Sequence, residues 1–184
     1  MLDFVAEEAV ERIEKDDAGR VRLRYFVRGE QLDGEWTSWD EEGWLAQRGT
    51  FKAGLLEGEL LQYDAEGRVA ASMPYREGKL DGEARYFDRG RLQLSTMFAA
   101  GLQEGPTTVF GENGKPTTKA EYHAGKLHGL SIWYRPDGKP LRTSEFADGE
   151  LDGETVEYDE RGRAISRVTY RAGKPEPERA AARK

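Results

Sequence analysis

Tyr75–Met97, YREGKLDGEARYFDRGRLQLSTM, and Phe146–Thr169, FADGELDGETVEYDERGRAISRVT, lie over one another almost column for column. Each reads as turn, strand, turn, strand. The first turn carries the x-x-G-x-L-D-G pattern and the second Y-D-x-x-G, where glycine and aspartate supply left-handed or self-capping backbone. The runs between them are five to eight residues, which is strand length. One such stretch is therefore one β-hairpin.

Working outward, the glycine of the first turn recurs as Gly34, Gly58, Gly82, Gly105, Gly129 and Gly153, in steps of 24, 24, 23, 24 and 24. The glycine of the second turn recurs as Gly19, Gly43, Gly67, Gly90, Gly114, Gly138 and Gly162 with the same period. Two aromatic series keep phase with them: Trp39, Tyr63, Phe87, Phe110, Tyr134 and Tyr158, then Phe51, Tyr75, Phe98, Tyr122, Phe146 and Tyr170. A period of this length marks stacked supersecondary units. The chain reads as all-β, about six and a half tandem hairpins of about 24 residues forming an antiparallel, solenoid-like array.

Strand alternation assigns the third and fifth residues after the first glycine to one face: Thr37 and Trp39, Leu61 and Tyr63, Ile132 and Tyr134, Val156 and Tyr158. That face is expected to be the core. In the second strand Leu45, Val69, Leu92 and Ala164 are matched to it, together with the Phe51 to Tyr170 series stacking on counterparts in adjacent hairpins. The basic row Arg68, Arg91, Lys115, Lys139 and Arg163 and the acidic row Glu35, Glu59, Glu83 and Glu154 read as solvated ladders.

The period breaks at Phe87–Gly90, where one turn residue is missing, and at Val27–Gly34, where the first glycine comes one place early. Residues 1–24 are expected to form an N-terminal cap and half repeat. Val5, Ala9 and Ile13 have helical spacing, although Ile13 to Val27 fits a half-hairpin around Gly19 equally well. Residues 25–174 are the repeat domain, and the prolines and charges of 175–184 point to a flexible C-terminal tail.

Hydrophobic residues make up 37% and charged residues 34%, against a usual apolar share of about 45–50%. A deep central core is not expected. The net charge of −7 disfavours nucleic acid and anionic membrane and favours a basic protein partner. The start lacks a basic region followed by an apolar one, and no segment has the apolar length of a membrane span. A cytoplasmic location is the expectation.

The G-x-L-D-G turn, the strand glutamate after it, the Y-D-x-x-G-K/R turn and the closing Y-x-x-G together resemble the bacterial variant of the MORN repeat. The resemblance implies an elongated antiparallel sheet of successive hairpins. It further implies kinship with YwqK-like antitoxins, some of them expected to be immunity proteins that bind a cognate toxin or secreted effector. It carries over no catalytic residue.

Little else in the sequence points to chemistry. His123 and His128 occupy turn columns that other copies fill with Arg76, Glu77, Asp81 or Asp152. There is no cysteine and no HExxH for zinc, and neither GxxxxGK[ST] nor GxGxxG for phosphate. The expectation is no enzyme, no cofactor and no metal. Trp36, Trp44, Tyr86 and Trp133 fall outside the repeating aromatic slots and, by alternation, opposite the expected core. Exposed Trp and Tyr suit interface anchors, so these four are the expected protein-binding residues. A neutralising protein that holds a toxin is the leading reading. A self-associating scaffold and a membrane-lipid-associated MORN module are the alternatives.

Overall fold

The computed structural model describes residues 7–177. Among them there is no helix, and eighteen strands pair antiparallel along the chain. The chain divides into two compact units, one of residues 1–91 with 98–101 and one of 92–97 with 102–184.

The first unit contains β1 (Val10–Lys15), β2 (Val21–Arg28), β3 (Gln31–Trp39), β4 (Leu45–Lys52), β5 (Leu55–Leu56), β6 (Gly58–Tyr63), β7 (Val69–Arg76), β8 (Lys79–Leu80) and β9 (Gly82–Asp88). After β10 (Arg91–Ala99), the second contains β11 (Leu102–Phe110), β12 (Pro116–His123), β13 (Lys126–Leu127), β14 (Gly129–Tyr134), β15 (Pro140–Ala147), β16 (Glu150–Tyr158), β17 (Ala164–Arg171) and β18 (Lys174–Pro175). Each hairpin pairs a first strand with a second, and that second strand pairs with the first strand of the next repeat. These junctions share one register: Arg24 opposite Thr37, Arg48 opposite Leu61 and Ser72 opposite Arg85 in the first unit. Lys119 opposite Ile132 and Thr143 opposite Val156 continue it in the second.

The tight turns are formed by the earlier glycine of the x-x-G-x-L-D-G pattern, while the later glycine, Gly34, Gly58, Gly82, Gly105, Gly129 or Gly153, begins or lies within a strand. Ala53 and Gly54 have φ of 48° and 81°, the double left-handed conformation of a type I′ hairpin turn. Where the 24-residue period loses one residue, Arg89 and Gly90 adopt the same pair, φ 49° and 76°. The missing residue thus converts a three-residue loop, such as 65–67 closed by Asp64 N–H on Arg68 O, into a two-residue one.

Three expectations change. Val10–Lys15 is a strand paired with β2, Val10 opposite Val27, so the half-hairpin around Gly19 replaces the helical cap; residues 2–6 lie outside the described residues. Pro175 does extend the ladder, opposite Tyr170, and the Glu176 N–H donates to Thr169 O at 2.8 Å. The remainder of the expected tail, 178–184, lies outside the described residues.

The core face is the third change. In the first unit Leu60, Ala71, Met73 and Ala84 are buried together, with Trp36, Leu56, Tyr75, Leu80, Tyr86 and Phe98 packed on them. In this unit the apolar cluster lies on the face of Trp36, not of Thr37, whereas in the second unit Val156, on the expected face, is buried. The cause is a β-bulge: Ser38 faces Gln47 but Trp39 faces Leu45, leaving Ala46 unpaired, and Ala70, Thr117, Leu141 and Ile165 repeat it. A one-residue shift reverses faces. Leu45 therefore goes with Trp39, while Phe51 goes with Trp36, whose ring it meets edge-on at 6.3 Å. Ring contact runs inside the repeat, Trp36 to Phe51 and Trp133 to Phe146, rather than between aromatic counterparts of adjacent hairpins.

Candidate functional site

The long turns are built by one device. The carboxylate of Asp16 accepts the N–H groups of Ala18 and Arg20; Asp64 takes those of Glu66 and Arg68, and Asp159 those of Arg161 and Arg163. Where Gly111 or Arg135 stands in the aspartate column, the acceptor moves two residues on: Asn113 takes Lys115 N–H and Asp137 takes Lys139 N–H. The cation after the turn glycine then folds back onto the carboxylate, as Arg20 on Asp16, Arg68 on Asp64 and Arg163 on Asp159. Hydrogen bonds to the charged form hold these carboxyls below their usual range, chiefly from the Arg68 side chain at Asp64 and from the Arg163 N–H at Asp159. Arg68 and Arg163 of the basic row are accounted for in this way, and Lys139 pairs with Asp137 of its own turn.

Neighbouring turns are also stitched together. Arg20 donates to Glu41 O at 2.8 Å, Lys139 to Glu160 O at 2.8 Å, and Arg135 to Tyr158 O at 2.7 Å. At the opposite edge Asp33, Glu57, Asp81 and Glu104 each accept the N–H of a left-handed residue in the next tight turn: Ala53, Glu77, Ala100 and Ala124.

One turn departs from the device. The Asp40 carboxylate accepts Glu42 N–H and Trp44 N–H, but the cation column is filled by Trp44, so among the described residues this carboxylate has no ion pair, and the Arg22 guanidinium donates instead to the backbone carbonyls of Asp40 and Glu41. Trp44 is 58% exposed. Asp40, Glu41 and Glu42 surround it in sequence. Residues 30–66 hold ten acidic residues against two basic ones, Arg48 and Lys52. Residues 1–91 carry 21 acidic and 14 basic residues and residues 92–184 carry 14 of each, so the net −7 belongs entirely to the first half.

The four expected anchors fall in three environments. Trp36 and Tyr86 come together on the buried cluster of the first unit. Trp44 stands out on the acidic turn. Trp133, in the second unit, lies under the Arg142 guanidinium, 4.1 Å from its ring centre, a stacked cation–π geometry. It borders an open cleft of about 380 Å³ with Leu141, Arg142, Glu157, Tyr158 and Ile165. Leu141 and Ile165 are exposed bulge residues that alternation alone passed over. Their signal was a large apolar residue in a column that elsewhere holds Ala46, Ala70 and Thr117.

His123 shares a 2.8 Å hydrogen bond with Glu104, and its ring centre is 5.6 Å from that of His128. The Glu104 carboxylate raises the His123 pKa above its ordinary value. Among the described residues no group of three or more His, Cys, Asp or Glu could hold a metal ion.

A family model described as the MORN repeat variant matches residues 32–53 and 127–148. At these two stretches, four repeats apart, the chain is similar to that repeat. No curated protein matches the chain. Among solved structures, a crystal structure of an S. aureus TarM mutant in complex with fondaparinux, alpha-GlcNAc-glycerol and UDP is similar at 10% identity over 83% of this chain, with a TM-score of 0.21. This chain spans about a fifth of that protein's length.

Proposed function

We propose that the chain is a non-catalytic binding protein that neutralises a toxin or effector by covering a basic surface with its acidic first unit. The observation that carries this reading is the turn at Asp40–Trp44, where an exposed tryptophan replaces the cation that closes the other aspartate turns. The carboxylates of Asp40, Glu41 and Glu42 form no ion pair among the described residues, Arg20 and Arg22 being held by the backbone carbonyls of Asp40 and Glu41, and a large amphipathic ring stands beside them. A partner's lysines or arginines would supply the missing charge, and a buried Trp is the residue type most often found carrying interface energy. Acidic residues concentrated in one half would also steer a basic partner to that half.

The test is calorimetry with the partner captured by the tagged chain. Binding should weaken as salt rises, and Trp44→Ala should cost about 2 kcal/mol or more while Trp133→Ala leaves affinity unchanged. A salt-insensitive complex, or one indifferent to Trp44, would overturn the reading.

A further inference from the structure

Five junctions between repeats, three in the first unit and two in the second, are the same ladder, in which a residue in the second strand faces one in the next first strand: Arg24 with Thr37, Arg48 with Leu61, Ser72 with Arg85, Lys119 with Ile132 and Thr143 with Val156. Arg167 occupies the corresponding place on β17. The short β18 covers only Tyr170 and Arg171, and Glu176 N–H takes Thr169 O. Backbone groups of alternate residues point the same way across a sheet, so the N–H and C=O of Arg167 point outward like the carbonyl of Thr169. No described strand meets them. At the other end β1 pairs with β2 and is exposed along its whole length. Ile13 on β1 stands in the column of Thr37, Leu61, Ile132 and Val156.

Among the described residues, the two unpaired edges are thus the two halves of one junction. We infer that β1 of one chain adds to β17 of a second chain, head to tail, in the register that joins internal repeats. Ile13 then faces Arg167, Glu14 faces Ser166 and Arg12 faces Val168, with no like charges opposed. The pairing closes a backbone ladder that each edge leaves open. It also lays a strand against Ile13 and Ile165, which are 51% and 65% exposed. By the pattern of Arg20 on Glu41 O and Lys139 on Glu160 O, Arg163 reaches the carbonyl of Asp17 in the second chain. Residues 7–9, which precede β1 outside any strand, give way to the second chain's Lys174–Glu176. Because the two surfaces differ, the contact is heterologous and leaves an open edge at each end for another copy. So small an interface belongs to the weak, reversible class.

This inference stands apart from toxin binding and is tested without a partner, by sedimentation velocity on the full chain. Ile13→Pro and Arg167→Pro each remove an outward N–H at a sheet edge, where proline is tolerated. The average mass of the wild-type chain should rise with concentration, and each variant alone should stay at the mass of one chain. An equimolar mixture of the two should form a two-chain species and stop there, since one intact edge of each kind remains. Should either proline unfold the chain by circular dichroism, Ile13→Lys and Ile165→Lys repeat the mixing experiment with the backbone unchanged. A wild type that stays monomeric at all concentrations, single variants that associate like wild type, or a mixture that stays monomeric would each overturn the inference.

Discussion

In the first unit, the position two residues after the hairpin glycine holds Trp36, Leu60 and Ala84, facing Gly49 and Met73. In the second unit the same position holds Thr107, Ser131 and Thr155, facing Ala120, Ser144 and Val168. The backbone ladder is the same, but what fills it is different. One unit removes apolar surface from water. The other runs hydroxyls along the sheet, Thr107 with Thr96 at 2.6 Å and Thr155 donating to Ser144 at 3.0 Å. The shared requirement at the middle of these ladders is size, with Ala84 and Ser144 fully covered. The difference is in how stability arises: burial of a large apolar side chain is worth about 1.5–3 kcal/mol, a typical hydrogen bond about 1 kcal/mol net.

The sharpest break in that comparison is Leu60→Ala, which leaves a cavity beside Met73 and Ala84. It should cost about 2–4 kcal/mol in urea unfolding, with faster hydrogen exchange in β6, β7 and β9. A loss below about 1 kcal/mol would mean that the apolar cluster is no stronger than the hydroxyl row.

Two serines facing each other across β14 and β15 give a smaller effect and a test of sign. Ser144→Ala strands the Thr155 hydroxyl and should cost about 1 kcal/mol. Ser131 Oγ is buried with no hydrogen-bond partner among the described residues, so Ser131→Ala should be neutral or stabilising, as removal of an unpaired buried polar group is. Equal losses in the two variants would show that the hydroxyls act by shape alone.

The smallest effect is in pH. Both histidines lie in the second unit. The Glu104 hydrogen bond raises the folded pKa of His123, so its stabilisation is complete below the ordinary histidine value near 6.5 and is lost as pH rises through the raised one. The protection factors of β12 amides, with the intrinsic pH dependence of exchange divided out, should therefore fall slightly above that range, and that step should be absent in His123→Gln, with the first unit unaffected. At the acid end both units should weaken together. Asp64 and Asp159 have lowered folded pKa values, so their contribution is present above the ordinary carboxylate range and lost as pH falls through the lowered values.

Much of the fold was legible because its instructions are local. Glycine recurs where φ is positive, aspartate where N–H groups need an acceptor, and strand-length runs separate them, so hairpin number and turn positions followed from the period. The candidate site was only partly legible. Trp36, Tyr86 and Trp133 were noticed for departure from the aromatic columns; Trp36 and Tyr86 pack on the buried cluster, opposite to the expectation, while Trp133 borders an open cleft. Trp44 was noticed as an aromatic out of phase, although its more telling property is that it displaces a cation.

The sequence by itself determined a row of β-hairpins joined by glycine and aspartate turns with left-handed or self-capping backbone, since each turn is settled by a few residues in direct contact along the chain. Only the tertiary structure decided which face is buried and which rings are exposed. A single unpaired residue at Ala46, Ala70, Thr117, Leu141 and Ile165 reverses the alternation, and a bulge is visible only once the opposing strand fixes which residue is left without a partner.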